Sequence, residues 1–527
     1  MKKSIIFKSA VLSIASCSLV TGGRLSAQST TEKPNFLFIL TDDQTYESIH
    51  ALNNQEISTP NMDRLVGLGT SFTHAFIQGS WAGAVCVASR SMLLTGQTLF
   101  HAPRNIKYLD DWSQLYGPAQ YQLKKEPGVT YPVTEVKTWA ETLDEAGYFT
   151  YQVGKWHNSE YALMKGFNEA QCLELEGMCE TFDENGSSAL TYSRPNGGPW
   201  TPWDRKYKGH WAPRLKDMLT NESGKKFISP YYTAEQHTSE LYTDRAVNLL
   251  QTRVPGLKAP FFIEVEYSAP HDPRQSPKEY VEMSDRQKIT VPENFLPEFP
   301  FDQGDHKIRD ERLAPFPRTG TAIQLHRQEY YAAITYLDHE LGRILDALEK
   351  SGKMDNTYII FTSDNGLAIG QHGLMGKQNQ FDHSIRVPLI ICGPGIKKGF
   401  LSDEMVYIQS AFATTCELAG IPIPETVELG SLVNIMKGQK GGEKYIFGAY
   451  RHLQRMVRSK EFKLIGYPEV KRIQLFDMIN DPKEMCDLAA DKSYDGVKQK
   501  LFDQLVKMQK ELDDFLILNR QDYPLLN

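Results

Sequence analysis

Cys86 and Arg90 stand four residues apart in Cys86-Val87-Ala88-Ser89-Arg90, between a small-residue loop, Gly79 to Ala84, and an apolar, helix-compatible run through Leu94. That spacing places both side chains on one helix face, with Cys86 in the first turn. Free backbone N–H groups and the helix dipole favour an anion there. A polar nucleophile, a fixed cation and an anion-binding helix end suit attack on a sulfate or phosphate ester. Alone, Cys-x-x-x-Arg more often describes a buried cysteine beside a surface arginine. Four further groups could add to the chemistry: Asp42 with Asp43, Lys155 with His157, His271, and Asp364 with Asn365.

Each of those groups comes after a stretch that reads as a strand. Phe36 to Leu40 is a continuous apolar run ending at Asp42-Asp43-Gln44. Apolar residues without alternation predict a strand buried on both faces. Adjacent carboxylates at its end repel, and a cation relieves that most simply. Phe149 to Val153 leads to Lys155 and His157, which share a face if the backbone stays extended. Pro260 to Tyr267 leads to His271, and Thr357 to Thr362 leads to Asp364-Asn365-Gly366, which is also an ordinary turn signal. Ligand-binding residues of open α/β sheets gather at such strand ends. Helices between the strands, among them 136–145, 234–250 and a long one over 325–350 with a stripe through Ala333, Leu337, Leu341, Ile344 and Leu348, predict a mixed, mainly parallel sheet sandwiched by helices. From residue 399 onward short strands and a terminal helix predict a smaller α+β subdomain with an antiparallel sheet. Residues 159–232 are aperiodic and carry Trp200, Trp203 and Trp211, which suit either stacking on a sugar or pinning an insertion.

Composition sets the outer limits. The 527 residues are 41% hydrophobic and 23% charged, which is globular. Residues 1–27 read as an export signal: Lys2, Lys3 and Lys8, then an apolar stretch from Val11 to Val20, then Leu25-Ser26-Ala27. Ile14-Ala15-Ser16-Cys17 reads alternatively as a lipoprotein box, which would put the protein on a membrane through Cys17. Both readings predict an exported, periplasmic protein. Loss of that segment's four cations, with no acid, would take the formal charge from −7 to −11. So acidic a product is a poor general binder of nucleic acid. Seven cysteines are too few for a disulfide scaffold, and whether Cys172 and Cys179 pair stays open.

The longer string Cys86-x-Ala88-x-Arg90 with Leu94-Thr95-Gly96 resembles the signature of formylglycine-dependent sulfatases of the alkaline phosphatase-like superfamily. Gln97 departs from the arginine that commonly comes next there. Gly154-Lys155-Trp156-His157, Ala269-Pro270-His271, Ser363-Asp364-Asn365-Gly366 with Lys377, Arg386-Val387-Pro388-Leu389 and the closing phrase Leu475 to Glu484 are similar too, in the same order. The resemblance implies a catalytic domain over 34–398 and the subdomain over 399–527. It implies that a maturation enzyme oxidises Cys86 to formylglycine. Asp42, Asp43, Asp364 and Asn365, with residue 86, would hold one divalent cation, calcium by their oxygen-only chemistry. The formylglycine hydrate would attack sulfur. Arg90 would hold that hydrate, Lys155 and Lys377 would grip sulfate, His271 with Lys377 would protonate the leaving oxygen, and His157 would take the proton that lets sulfate depart. Phe381-Asp382-His383 departs from the family's aromatic followed by Glu, with His383 structural or substrate-facing. The expected substrate is a sulfated saccharide. The alternatives are a phosphodiesterase or phosphonate monoester hydrolase of the same superfamily, and a non-catalytic glycan-binding relative.

Overall fold

This computed structural model describes residues 32–102, 136–175, 201–305, 308–314 and 316–526. The expected export signal, Cys17, Cys179 and Trp200 lie outside the described residues, and so does any pairing of Cys172 with Cys179. Pro34–Asn527 forms one compact unit. No described helix is long and apolar enough to cross a membrane.

The first apolar run forms the strand Asn35–Thr41, buried along its whole length. Alternate side chains enter two different cores, as a pleated strand requires. Phe36, Phe38 and Leu40 meet Trp139, Phe262 and Phe412 on one face. Leu37 and Ile39 meet Leu337, Leu341 and Ile344 on the other. Those last three belong to the helix Gly320–Lys350, capped by the Thr319 side chain on the Ala322 N–H. Burial of each such aliphatic side chain is worth about 1.5–3 kcal/mol, so the periodic stripe suffices to seat the helix on the sheet.

The large sheet runs in the order Arg386–Val387, Gly69–Phe76, Leu389–Cys392, Thr357–Ser363, Asn35–Thr41, Phe261–Glu266, Phe149–Lys155, Glu169–Glu174, Arg214–Thr220 and Lys226–Ile228. Parallel pairing occupies the centre. Antiparallel strands flank it. The register brings Thr41 beside Ser363, Leu40 beside Glu266 and Gly154 beside Glu266. Four strands therefore end at one level, and the residues just beyond their ends converge.

Two expectations change. Phe400–Tyr407 pairs in parallel with Gly69–Phe76, so the large sheet continues past the expected boundary at 399. Met405, Val406 and Tyr407 are buried in the large sheet's own core, which explains the placement. The aperiodic stretch 159–232 includes the strands Glu169–Glu174 and Arg214–Thr220, each paired on both sides, whose mixed burial hides a clean alternation. The small sheet comprises Ile446–Tyr450, Gln454–Arg458, Phe462–Tyr467 and Arg472–Asp477, all antiparallel neighbours, with the terminal helix Asp495–Glu511. A fifth strand, Gly79–Ser80, joins it in parallel from far upstream in the chain.

Gly154 sits at φ +101° in the strand before Lys155, and a Cβ there would lie 2.1 Å from the Glu266 carbonyl oxygen. Gly154→Ala is therefore expected to cost about 1–3 kcal/mol through the backbone conformation alone, read as a lower urea midpoint. An unchanged midpoint would contradict that account.

Candidate active site

The helix carrying Cys86 is Val85–Thr95, closed by Gly96 at φ +65°. It is buried on two sides. Val85, Leu93 and Leu94 belong to the core of the large sheet. Ala88 and Met92 belong to the core beneath the small sheet. Cys86 is in the first turn, as its sequence suggests, and is 2% exposed.

Arg90 ties four strand ends together. Its Nε donates to Asp364 Oδ2 at 2.9 Å, its Nη2 to Asp42 Oδ2 at 3.0 Å, and its Nη1 to the Lys155 carbonyl at 2.9 Å. Nη1 also donates to Glu266 Oε2. Lys155 Nζ lies 2.5 Å from Asp42 Oδ2. Lys377 Nζ lies 2.6 Å from Asp43 Oδ1, which also accepts the Asn365 amide at 2.6 Å. The other oxygen of Asp43 faces His271 Nε2 at 3.8 Å. His157 Nδ1 stands 3.3 Å from Cys86 Sγ. All ten residues singled out from sequence meet in this one cluster.

Backbone geometry fixes the cluster. The Asp364 N–H donates to the Thr41 carbonyl at 3.0 Å, and the Gln44 N–H donates to Ser363 Oγ at 2.9 Å. Asp43 has φ +69°, and its carbonyl accepts the Tyr330 hydroxyl at 2.6 Å. His157 has φ +48°, so the chain leaves extended backbone after Lys155 and the expected shared face is lost. The two side chains reach different partners: Lys155 turns to Asp42 and His157 to Cys86. His271 donates from Nδ1 to the Asp272 carbonyl at 2.8 Å, which leaves Nε2 as the basic nitrogen.

The electrostatics arise from burial and charge. Burial alone would raise the Asp42 carboxyl, but Lys155, His271, Lys377 and Arg90 hold it well below the usual range. Asp43 rises to about 6 because burial and Asp42 outweigh Lys377. Asp364 rises well above its usual range through burial and Asp42. Burial and Lys377 push His271 down to about 3. Burial, Lys155 and Arg90 push His157 well down as well. Lys377 is held protonated by Asp43 against its burial.

The donor set fits a hard cation. Asp42, Asp43, Asp364 and Asn365 are fully buried, and Asp42 Oδ1, Asp43 Oδ2 and Asn365 Oδ1 accept no hydrogen bond. Ligand atoms of Asp42, Cys86 and Asp364 lie within 4.8 Å of one another, as do those of Asp42, Asp43 and His271. Buried oxygens without donors on three of four candidate ligands suit an oxygen-liganded divalent ion.

Other sequence candidates lie elsewhere. Asp382 is held by Lys463 at 2.5 Å and Arg458 at 3.3 Å on the small sheet. His383 Nε2 meets His372 Nδ1 at 3.2 Å, and His372 stacks on Phe381 at 4.0 Å. Through Asp382 this triplet is tied to the small sheet. Trp211 donates its indole N–H to the Pro202 carbonyl at 2.9 Å and is edge-on to His237, which makes it a pin. Sequence reasoning missed Glu266, and its neighbour Glu264. Two acids at alternate positions of a buried strand were the available signal.

Residues 34–421 match the sulfatase family, and residues 370–511 match the family described as N-sulphoglucosamine sulphohydrolase, C-terminal. The chain is 27% identical over 473 residues to an arylsulfatase of Clostridium perfringens, covering 88% of this chain and 91% of the relative. It is 24% identical over 559 residues to an N-acetylglucosamine-6-O-sulfatase of Bacteroides thetaiotaomicron, covering 97% and 91%. A solved structure in complex with its substrate D-glucosamine-2-N,6-O-disulfate shares the fold at a TM-score of 0.66 and 21% identity, over 92% of this chain and 99% of the other. The phosphonate monoester hydrolase of Agrobacterium radiobacter shares it at 0.62 and 21%, over 91% and 96%. The chain belongs to the sulfatase family and is a sulfuric ester hydrolase.

Burial pushes the Cys86 thiol up, against Lys155 and Lys377. While position 86 is still cysteine, iodoacetamide at pH 8 is expected to label exposed Cys486 at least about tenfold faster than Cys86, since the thiolate is the reactive form. Peptide mass spectrometry reads both sites, and equal rates would contradict the account.

Proposed function

We propose that this enzyme removes sulfate from a sulfated carbohydrate, using a formylglycine made from Cys86 and one calcium ion held by Asp42, Asp43, Asp364 and Asn365. The observation that carries the reading is the convergence of Cys86, Arg90 and three buried, donorless oxygens at one sheet edge. A hard cation there supplies positive charge that makes an oxygen at position 86 nucleophilic and offsets charge on the sulfate. The names of the N-acetylglucosamine-6-O-sulfatase relative and of the disulfated glucosamine complex support a saccharide.

The chain's own residues then divide the work. Arg90, one turn after residue 86 on the same helix, holds the carboxylates of Asp42 and Asp364. Lys155 and Lys377 are protonated cations on either side of the Asp pair and turn their N–H groups to sulfate oxygens. Lys377 and His271 sit on the two oxygens of Asp43, so both serve the leaving oxygen. Before sulfate arrives, Lys377 carries the transferable proton and His271 Nε2 carries none. His157 Nδ1, against Cys86 Sγ, takes the proton whose loss releases sulfate. Export to the periplasm through residues 1–27, soluble or lipidated at Cys17, and conversion by a formylglycine-generating partner complete the reading.

In the native host the tryptic peptide around position 86 is expected to be about 18 Da lighter than its cysteine form; an unmodified thiol would refute the nucleophile. His271→Ala should lower kcat about 10²- to 10⁴-fold on sulfated sugars. Chelation should abolish turnover, and calcium should restore it. Faster turnover of aryl phosphate diesters than of matched sulfate esters would favour the phosphodiesterase alternative instead.

A further inference from the structure

Glu264 and Glu266 take part in no step of the proposed reaction. They lie two apart on the strand Phe261–Glu266, so they share a face, and they are 4% and 5% exposed. Glu266 Oε2 accepts from Arg90 Nη1. Burial and the charge of Glu266 raise Glu264 well above its usual range, which keeps it protonated as the donor of the hydrogen bond between them. Two acids this close cannot both ionise, and the neutral one becomes a donor.

A guanidinium presents five N–H groups in a rigid plane and is always charged. Arg90 directs two edges to Asp42 and Asp364, the ligand carboxylates, and the third to Glu266 and the Lys155 carbonyl. If the third edge lost its carboxylate, the whole charge would fall on Asp42 and Asp364. Arg90 would then hold their oxygens more tightly and leave them poorer ligands.

We propose that Glu266, oriented by Glu264, is a positioning residue for Arg90 that shares the guanidinium and so leaves Asp42 and Asp364 able to bind the divalent cation. This rests on the reading of those carboxylates as the cation site. Outer partners of metal ligands typically change affinity about 10- to 100-fold.

The test is calorimetric titration of calcium into the metal-stripped full chain, with circular dichroism to verify folding and kcat and KM measured in parallel. Glu266→Gln is expected to weaken calcium binding at least about tenfold and to lower kcat more than it raises KM. Glu264→Ala should weaken binding in the same direction. Glu264→Gln should restore it, because the amide can donate to Glu266 as the protonated acid does. A folded Glu266→Gln with unchanged affinity would overturn the proposal, and so would Glu264→Gln behaving like Glu264→Ala. Asp42→Asn separates the underlying reading: if it binds calcium as tightly as the native chain, the cation site itself is wrong, whatever Glu266 does.

Discussion

Three carboxylates are removed from water at the ends of two adjacent parallel strands, and the surrounding structure is arranged to make that tolerable. An isolated buried carboxylate costs several kcal/mol even after relaxation. Here Asp42, Asp43 and Asp364 face three buried cations, one from a helix, one from the nearby strand Phe149–Lys155 and one from the loop after Gly376. Removing any one of the three cations would leave a buried carboxylate undercompensated, so the six groups stand or fall together. The sheet register is what makes the pairing available. Parallel strands ending at one level deliver their next residues to one place, whatever their separation in sequence.

The helix Val85–Thr95 answers a second demand, that Cys86 stay where the cations are. A helix at a surface has one fixed face. This one is clamped between the large sheet through Val85, Leu93 and Leu94 and the small sheet through Ala88 and Met92. The Gly79–Ser80 strand just upstream pairs with Ile446–Tyr450, so the loop entering the helix is held by the C-terminal sheet as well. The small sheet thus does more than append to the fold. With the Asp382 ion pairs to Lys463 and Arg458, it anchors two loops that border the site.

The strand ends were legible in sequence because continuous apolar runs followed by acids or bases leave few other readings. The strand Asn35–Thr41 and the stripe of Gly320–Lys350 came through for the same reason: burial on both faces and a 3.6-residue period are properties of the chain itself. The local conformation of His157 was not legible, since a left-handed φ on a non-glycine residue is imposed by tertiary contacts. Nor was the Gly79–Ser80 strand, whose two residues carry no periodicity and whose partner lies hundreds of residues away. The boundary near 399 failed because Phe400–Tyr407 has mixed burial, like an edge, yet docks in parallel on the large sheet. Glu266 was hidden inside an apolar strand, because only the partner that Arg90 makes of it sets it apart from an ordinary strand-end acid.

The protonation pattern constrains how the proposed acid–base work can run. Both histidines are pushed far down by burial and by the lysines beside them, while both lysines are kept charged by Asp42 and Asp43. The cluster without substrate therefore holds two ready bases and two cations, with neither imidazole protonated. His157 is in the form its proposed role needs before any ligand arrives. His271 is not: in its proposed role a proton would have to come to Nε2 from the Lys377 side, or the negative charge of an arriving sulfate would have to raise His271 first. The two histidines differ in what surrounds them more than in kind. His157 faces the Cys86 side chain, and His271 faces a carboxylate shared with a lysine. That asymmetry, set by Asp43, is what would distinguish the entering side of the proposed reaction from its leaving side.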